Sequence, residues 1–458
     1  MINIKEKNYN YNNFNSNNIK SNPAFKKGFT GLTKAADIFI KSQENLSSTR
    51  FIQDTATNWA PKALFARSTA DFSEMSFLEF IESGIFYFAS PILGEKLFRN
   101  KLFNGEKFVP KNIKANVNEQ IPKTVEEITK NKTITEEIKK RAISKKAGIV
   151  LACTAIPVAE YTLSFAKNLF TLKTFNKSNF NNIANLDKKG REKENIAQQI
   201  RVEQSAKKHL KEAAVISAAG IMAGAGLALN GHKSKLLLNI AKSILNPGKA
   251  IAKGLQLAGY KNEKVKNTIS SFSLDFANNN GKLALSKGQL AFTAIVGLFG
   301  YSKAAEDRGK LDVLEVWTRV PLVVFYTIVG SELFQKGFEK ILEKKNKFPD
   351  LLKKNKEGKL VTPKRSELPE LAKKLARERG TDKLQELSRL TKQKAFVEGV
   401  PYAFSLLFMG LTLSGITRLW TQYRYNHQNK HIAISNMDFL TFAKQQTPEI
   451  FKDISSKR

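Results

Sequence analysis

The sequence predicts an all-α chain: a multi-helix bundle embedded in a membrane, with an internal duplication and amphipathic basic helices. Three observations predict it. No segment shows convincing period-two alternation of apolar and polar residues, so strands are not expected. Five or six apolar runs of 13–20 residues are separated by basic segments. One long stretch also occurs twice. The first copy, Ser76 to Phe98, reads SFLEFIESGIFYFASPILGEKLF, and the second, Asp312 to Phe334, reads DVLEVWTRVPLVVFYTIVGSELF. Leu78, Glu79, Gly94, Leu97 and Phe98 recur as Leu314, Glu315, Gly330, Leu333 and Phe334 at a constant offset of 236.

Each copy opens on a short polar residue followed by Leu-Glu. Ser76-x-x-Glu79 and Asp312-x-x-Glu315 have the capping-box pattern, in which the short side chain accepts a backbone N–H and the Glu reaches back to the cap. These four residues are therefore expected to start helices, not to catalyse. Past the caps, Gly84 to Leu93 and Val320 to Ser331 carry no charge. A helix from Phe77 to Leu97 would be roughly 30 Å long, about the hydrocarbon thickness of a bilayer. Pro91 and Pro321 each remove a donor within the run and are expected to kink the helix without ending it.

The balance of charge narrows the partners. The 458 residues carry 75 basic and 41 acidic side chains, a net of +34. Such an excess suits anionic lipid or nucleic acid. Nucleic-acid binding calls for aromatics interleaved with the basic residues, whereas here they concentrate in the apolar runs, so an anionic membrane is the expected partner. A protein partner or a second copy remains open. The single Cys153 rules out an intramolecular disulfide and a Cys-based metal site.

In chain order, residues 1–30 hold an Asn-rich tract with no core-forming periodicity and read as disordered. Residues 31–177 form a first helical repeat and 178–285 a connecting segment with a small-residue apolar helix. Residues 286–427 form a second repeat, and 428–458 a polar tail. The duplication rests on nine identities in the 46 ungapped positions from Gln53 to Phe98, among them Gln53/Gln289, Thr57/Thr293 and Asp71/Asp307. Later features echo in the same order: YTLSFAKNLFTLKTFN from Tyr161 matches LTLSGITRLWTQYRYN at offset 250 in six of sixteen positions. Internal repeats of this length are frequent in membrane folds.

Loop charge supports a membrane. Residues 67–75 are net −1 and the equivalent 303–312 are neutral, while 336–396 hold 19 basic against 9 acidic residues. The positive-inside rule then puts the two short loops outside and the long basic loops in the cytoplasm. Gly220-x-x-x-Gly224, inside the run Ala213–Leu229, is the spacing that lets helices approach closely in lipid. Two features resist the scheme. Arg50–Arg67 contains Asp54 and Lys62 and makes a poor span, and Ala147–Phe170 has basic loops on both sides. The alternative is a soluble helical protein that binds an acidic partner with a basic surface.

No phosphate loop, zinc-protease, nucleophile-elbow or paired-cysteine motif occurs. Neither catalytic residues, metal ligands nor a cofactor are expected, and the chain is read as non-enzymatic. His427 and His431 could share a helix face but lack a carboxylate nearby, so a solvated tail is expected there. Glu160 and Arg319 sit within apolar runs, where an ionisable residue is a functional candidate, and each is expected to face the bundle. Leu368–Lys394 is expected to form an amphipathic basic helix that binds a membrane surface or a partner protein. Scaffolding or remodelling of the membrane and transport both fit this reading.

Overall fold

The computed structural model describes residues 31–44, 48–187, 193–279, 281–355, 358 and 360–428. The Asn-rich start, His431 and the rest of the tail lie outside them. The fold is all-α. The helices are α1 Gly31–Glu44, α2 Ser48–Leu64, α3 Thr69–Ala89, α4 Lys114–Gln120, α5 Val125–Lys130, α6 Glu136–Ala152, α7 Ala155–Phe175, α8 Phe180–Ile183 and α9 Ile196–Asn230. They continue as α10 Lys235–Leu245, α11 Pro247–Leu257, α12 Glu263–Ser270, α13 Lys287–Glu306, α14 Lys310–Phe325, α15 Ser331–Lys344, α16 Leu368–Arg379 and α17 Lys383–Ser405. Two antiparallel hairpins, β1 Ala277–Asn279 with β2 Lys282–Ala284 and β3 Lys353–Lys354 with β4 Leu360–Val361, are the described sheet.

Four helical stretches are long and apolar enough to cross a membrane: Thr69–Leu102, Glu136–Phe175, Ile196–Asn230 and Lys383–Gln428. Their burial differs sharply. The apolar part of α6–α7 is 61% buried, whereas those of α3, α9 and α17 are 17%, 22% and 22% buried. The α6–α7 pair is thus the axis of the bundle, and its neighbours turn apolar surface outward. Close approach depends on small residues. A Cβ on Gly224 would clash with the Gly148 carbonyl, one on Gly148 with the Gly224 carbonyl, and one on Gly220 with the Thr154 hydroxyl. Gly220 and Gly224 are thus where α9 crosses α6, running antiparallel to it. Along α13, a Cβ on Gly297 would lie 2.7 Å from Glu160 Cγ on α7.

Pro91, Pro321 and Pro401 do not end their helices. Instead α3 passes into a π-helix at Ser90, α14 at Tyr326 and α17 at Leu406. A proline deletes one i→i−4 donor, and a wider turn lets the chain run on. The switches at Ser90 and Tyr326 are 236 residues apart, the offset of the sequence repeat.

The molecule has two different ends. At one, the short loops meet the C-terminal end of α7 and the start of α9: Phe180 N donates to the Arg308 carbonyl at 3.2 Å and Gln198 to the Asp307 carbonyl at 3.1 Å. Phe180, Leu186, Leu311 and Tyr425 form a small core there. At the other end, segments 99–135 and 231–286 wrap the start of α6. Arg99 donates to the Gly281 and Asn118 carbonyls, and Lys146 pairs with Asp275 at 2.6 Å, both side chains being almost wholly enclosed.

Two expectations need correction here. Segment 176–187 lies with the short loops, so the long connections do not all share the opposite end. The reason is packing: Phe180 and Leu186 complete the apolar cluster that caps that end. The stretch Leu368–Lys394 is likewise not one surface helix. Gly380, at φ +66, ends α16, and α17 folds back on it. Leu375, Leu387 and Leu390 then bury themselves against Leu342, Leu351 and Leu352. The apolar face expected to meet lipid or a partner protein is spent on this small core.

Candidate functional site

The four expected caps are not caps. Extended Ser68 starts α3, its hydroxyl accepting from Asp71 N, so Ser76 lies two turns inside the helix. There Ser76 Oγ donates to the Phe72 carbonyl and accepts from Trp59 Nε1, each at 2.8 Å. Glu79 forms an ion pair with Lys62 of α2. In α14 the helix starts at Gly309, φ +130, and no side chain caps it. Asp312 instead pairs with Arg308 at 3.1 Å, and Glu315 takes Arg67 in a two-pronged grip at 2.9 and 3.1 Å. The pattern misleads because a capping box and an inward-facing carboxylate look alike in sequence.

Those pairs belong to one network at the short-loop end. Arg67 also grips Asp71, which lies 3.7 Å from Arg418. Arg308, 2% exposed, donates to Glu74 at 2.9 Å and to Asn168 Oδ1 at 2.8 Å. Lys167 approaches Glu74 at 3.6 Å. The Phe180 ring lies under both guanidiniums, 5.3 Å from Arg67 and 5.7 Å from Arg308, a further attraction for a cation. Four cations meet four carboxylates: Arg67, Lys167, Arg308 and Arg418 against Asp71, Glu74, Asp312 and Glu315. The short loops look near-neutral in sequence because their charges pair with each other across the chain.

Further along the bundle axis lies a second, unbalanced group. Glu160 on α7 hydrogen-bonds Tyr301 and lies within electrostatic reach of Glu82 and Glu79. Arg319 is half-buried and acts on Glu82 and Tyr301. With Lys62, the group holds two cations and three carboxylates. Glu160 is 2% exposed and its Oε2 has no hydrogen-bond partner. The polar face of α2 continues this line, with Asp54 accepting from the Tyr87 and Tyr402 hydroxyls. That placement explains why Arg50–Arg67 makes a poor span by hydropathy: Asp54 and Lys62 point into the bundle.

Sequence reasoning singled out Glu160 and Arg319 and missed Arg67, Glu74, Lys167, Arg308 and Arg418. Each of these sits at the rim of an apolar run, where sequence alone reads a solvated or snorkelling charge. His427 packs near the Tyr423 ring and has no metal-ligand neighbour set; among the described residues no group of three His, Cys, Asp or Glu could hold a metal ion. No protein-family model matches the chain, and comparison with curated proteins and with solved structures returns no match.

Proposed function

We propose that the chain is a non-enzymatic polytopic membrane protein of duplicated, transporter-like build. In this reading the group around Glu160 takes a proton or small monovalent cation between the two halves. Membrane embedding is supported by the outward apolar faces: Phe80, Phe88 and Ile92 on the α3 stretch, and Leu407, Ile416 and Leu419 on the α17 stretch, are all exposed. A soluble bundle would bury such rows.

Duplication is supported by more than sequence. Besides the matching π switches, the close crossings correspond. Gly297 packs on Glu160, and Gly410 packs on Pro61 so closely that a Cβ added to Gly410 would lie 2.5 Å from Pro61 Cβ. Pro61 is 236 residues before Gly297, and Gly410 is 250 after Glu160. Thus α2 meets the last helix of the second half as α13 meets α7 of the first. Two exchanged halves with ionisable groups at their seam are the arrangement carriers use.

The observation that carries the functional reading is the buried, partly unpartnered Glu160 in a group with three carboxyl side chains and two cationic ones. An intramembrane carboxylate is costly and persists where it is used or neutralised. The test is proton flux. In proteoliposomes with an imposed potential and an internal pH dye, the native chain should move protons faster than Glu160→Gln. Equal rates in two equally folded proteins would leave the network a structural clamp and favour scaffolding, which the lysine-rich surface of α10–α12 also supports. Release by carbonate wash would return the chain to the soluble, acidic-partner reading.

A further inference from the structure

The amphipathic basic surface is not where the sequence places it. Residues 233–266 hold eight lysines and one acid, Glu263. They fold as α10, α11 and α12, whose inner faces are fixed. Ala241 and Leu245 are fully buried against α6, Gly248 N donates to the Phe272 carbonyl at 3.0 Å, and Leu274 N donates to the Leu245 carbonyl at 2.9 Å. Among the described residues their outer aliphatic side chains are left uncovered, and Lys249 makes a loose pair with Glu126 at 3.9 Å. Leu236 is 71% and Leu257 81% exposed, and Ile240, Ile251, Tyr260 and Val265 are exposed as well. An open apolar groove of ≈ 500 Å³ runs between α10 and α6, floored by Leu151, Ile244 and Leu274.

We infer that α10–α12 form an interfacial platform that lies in the headgroup layer of an anionic leaflet. Leu236, Ile240, Ile251 and Leu257 enter the acyl boundary, and Lys235, Lys242, Lys249 and Lys253 meet lipid phosphates. The inference rests on the membrane reading above and adds the site and the lipid class. Two arguments commit it to anionic lipid. The lysine excess complements a negative surface, and lysines beside protruding aliphatic residues are the composition of interfacial helices. Continuity supplies the depth: the apolar run of α9 ends at Leu229, and Ser234 caps α10 after only four intervening residues, so the platform begins where that span would leave the bilayer.

Buried Cys153 is the chain's only cysteine, which permits single-site reporters in the full protein. A fluorophore on Leu257→Cys reports the platform, and one on Val215→Cys reports the exposed face of α9. Both are read in phosphatidylcholine and in mixed phosphatidylcholine–phosphatidylglycerol vesicles, with acyl-brominated lipid as quencher. The expected result is quenching of Val215→Cys in both membranes and of Leu257→Cys chiefly in the anionic one. Replacing the four lysines by Gln should reverse the latter, each lysine changing the docked-to-free ratio by about fivefold. Quenching of the Val215 reporter with none at Leu257 overturns the platform and leaves the membrane reading standing. Absence of quenching at both overturns the membrane reading and the platform with it. Equal quenching at Leu257 in the two lipids, unchanged by the Gln variant, overturns the choice of anionic lipid.

Discussion

The two-pronged grip of Arg67 on Glu315 shows what a single side chain decides in this protein. Both are nearly enclosed, at 13% and 8% side-chain exposure, and removing Glu315 leaves Arg67 with Asp71 alone, in a network then holding four cations against three carboxylates. Glu315→Ala should therefore destabilise the fold by about 3–5 kcal/mol, the usual cost of breaking a buried pair. A helix cap would cost only about 1 kcal/mol. Thermal unfolding in detergent separates the two, and a loss near the cap value would mean that Arg67 finds water or another acid.

Asp350 makes a pH-dependent case outside the apolar helices. Burial opposes its charge, but the Arg389 and Arg379 guanidiniums outweigh this and hold its carboxyl below the ordinary 3.8. A depressed folded value stabilises above the unfolded one, and that contribution is lost as pH falls through the folded value. The α16–α17 hairpin should thus lose amide protection as pH drops below 3.8. In Asp350→Asn the protection should be lower at neutral pH and flat across the acid range. Identical acid profiles in hydrogen exchange would assign the loosening to other carboxylates.

At the scale of elements, the α9–α6 crossing is set by two glycines facing each other. With no Cβ on either, the backbones meet at a distance that any side chain forbids. Gly224→Leu should force α9 off α6 and abolish the monodisperse folded species in size-exclusion chromatography. Gly226→Leu, where nothing lies within 4 Å, should leave it intact. Failure of both variants alike would point to insertion or added bulk on α9 in general, not to this crossing, since Leu favours a helix over Gly.

Elements also mark what sequence could and could not tell. The all-α class and the Gly220–Gly224 spacing were legible, because helical period and small-residue spacing are local signals. Glu160 was legible as a charge out of place. The start of α3 was not, because Ser76-x-x-Glu79 reads alike as a cap and as two inward-facing residues mid-helix, and only the partners Trp59 and Lys62 on α2 tell them apart. Nor was the break at Gly380: the leucine periodicity runs through it, and the decision lies with the core that Leu342 and Leu352 offer. The charge network escaped because the contacts that join its parts link distant residues, as Asn168 to Arg308, 140 apart, and Arg67 to Glu315, 248 apart.

At the scale of the molecule, polarity from end to end is the property with most consequence. The short-loop end is sealed by paired charges and a small aromatic core, while the other end carries segments 99–135 and 231–286 with a heavy lysine excess. If the bundle spans a bilayer, these ends face opposite sides, and the basic one faces the cytoplasm. Segment 176–187 then lies on the outer side with the short loops, against the simple loop-charge expectation, because α7 delivers it there beside Arg67 and Arg308. Single cysteines at Glu106 and Lys303, both exposed in the structure, report the two ends, and one at Lys173 reports the last turn of α7, which leads into the disputed segment. In sealed right-side-out vesicles an impermeant maleimide should label Lys303→Cys and Lys173→Cys and spare Glu106→Cys until the membrane is opened. Labelling of Glu106→Cys alone would invert the orientation and leave the architecture intact. Labelling of Lys303→Cys without Lys173→Cys would part α7's end from the short loops and break the arrangement proposed for the seam.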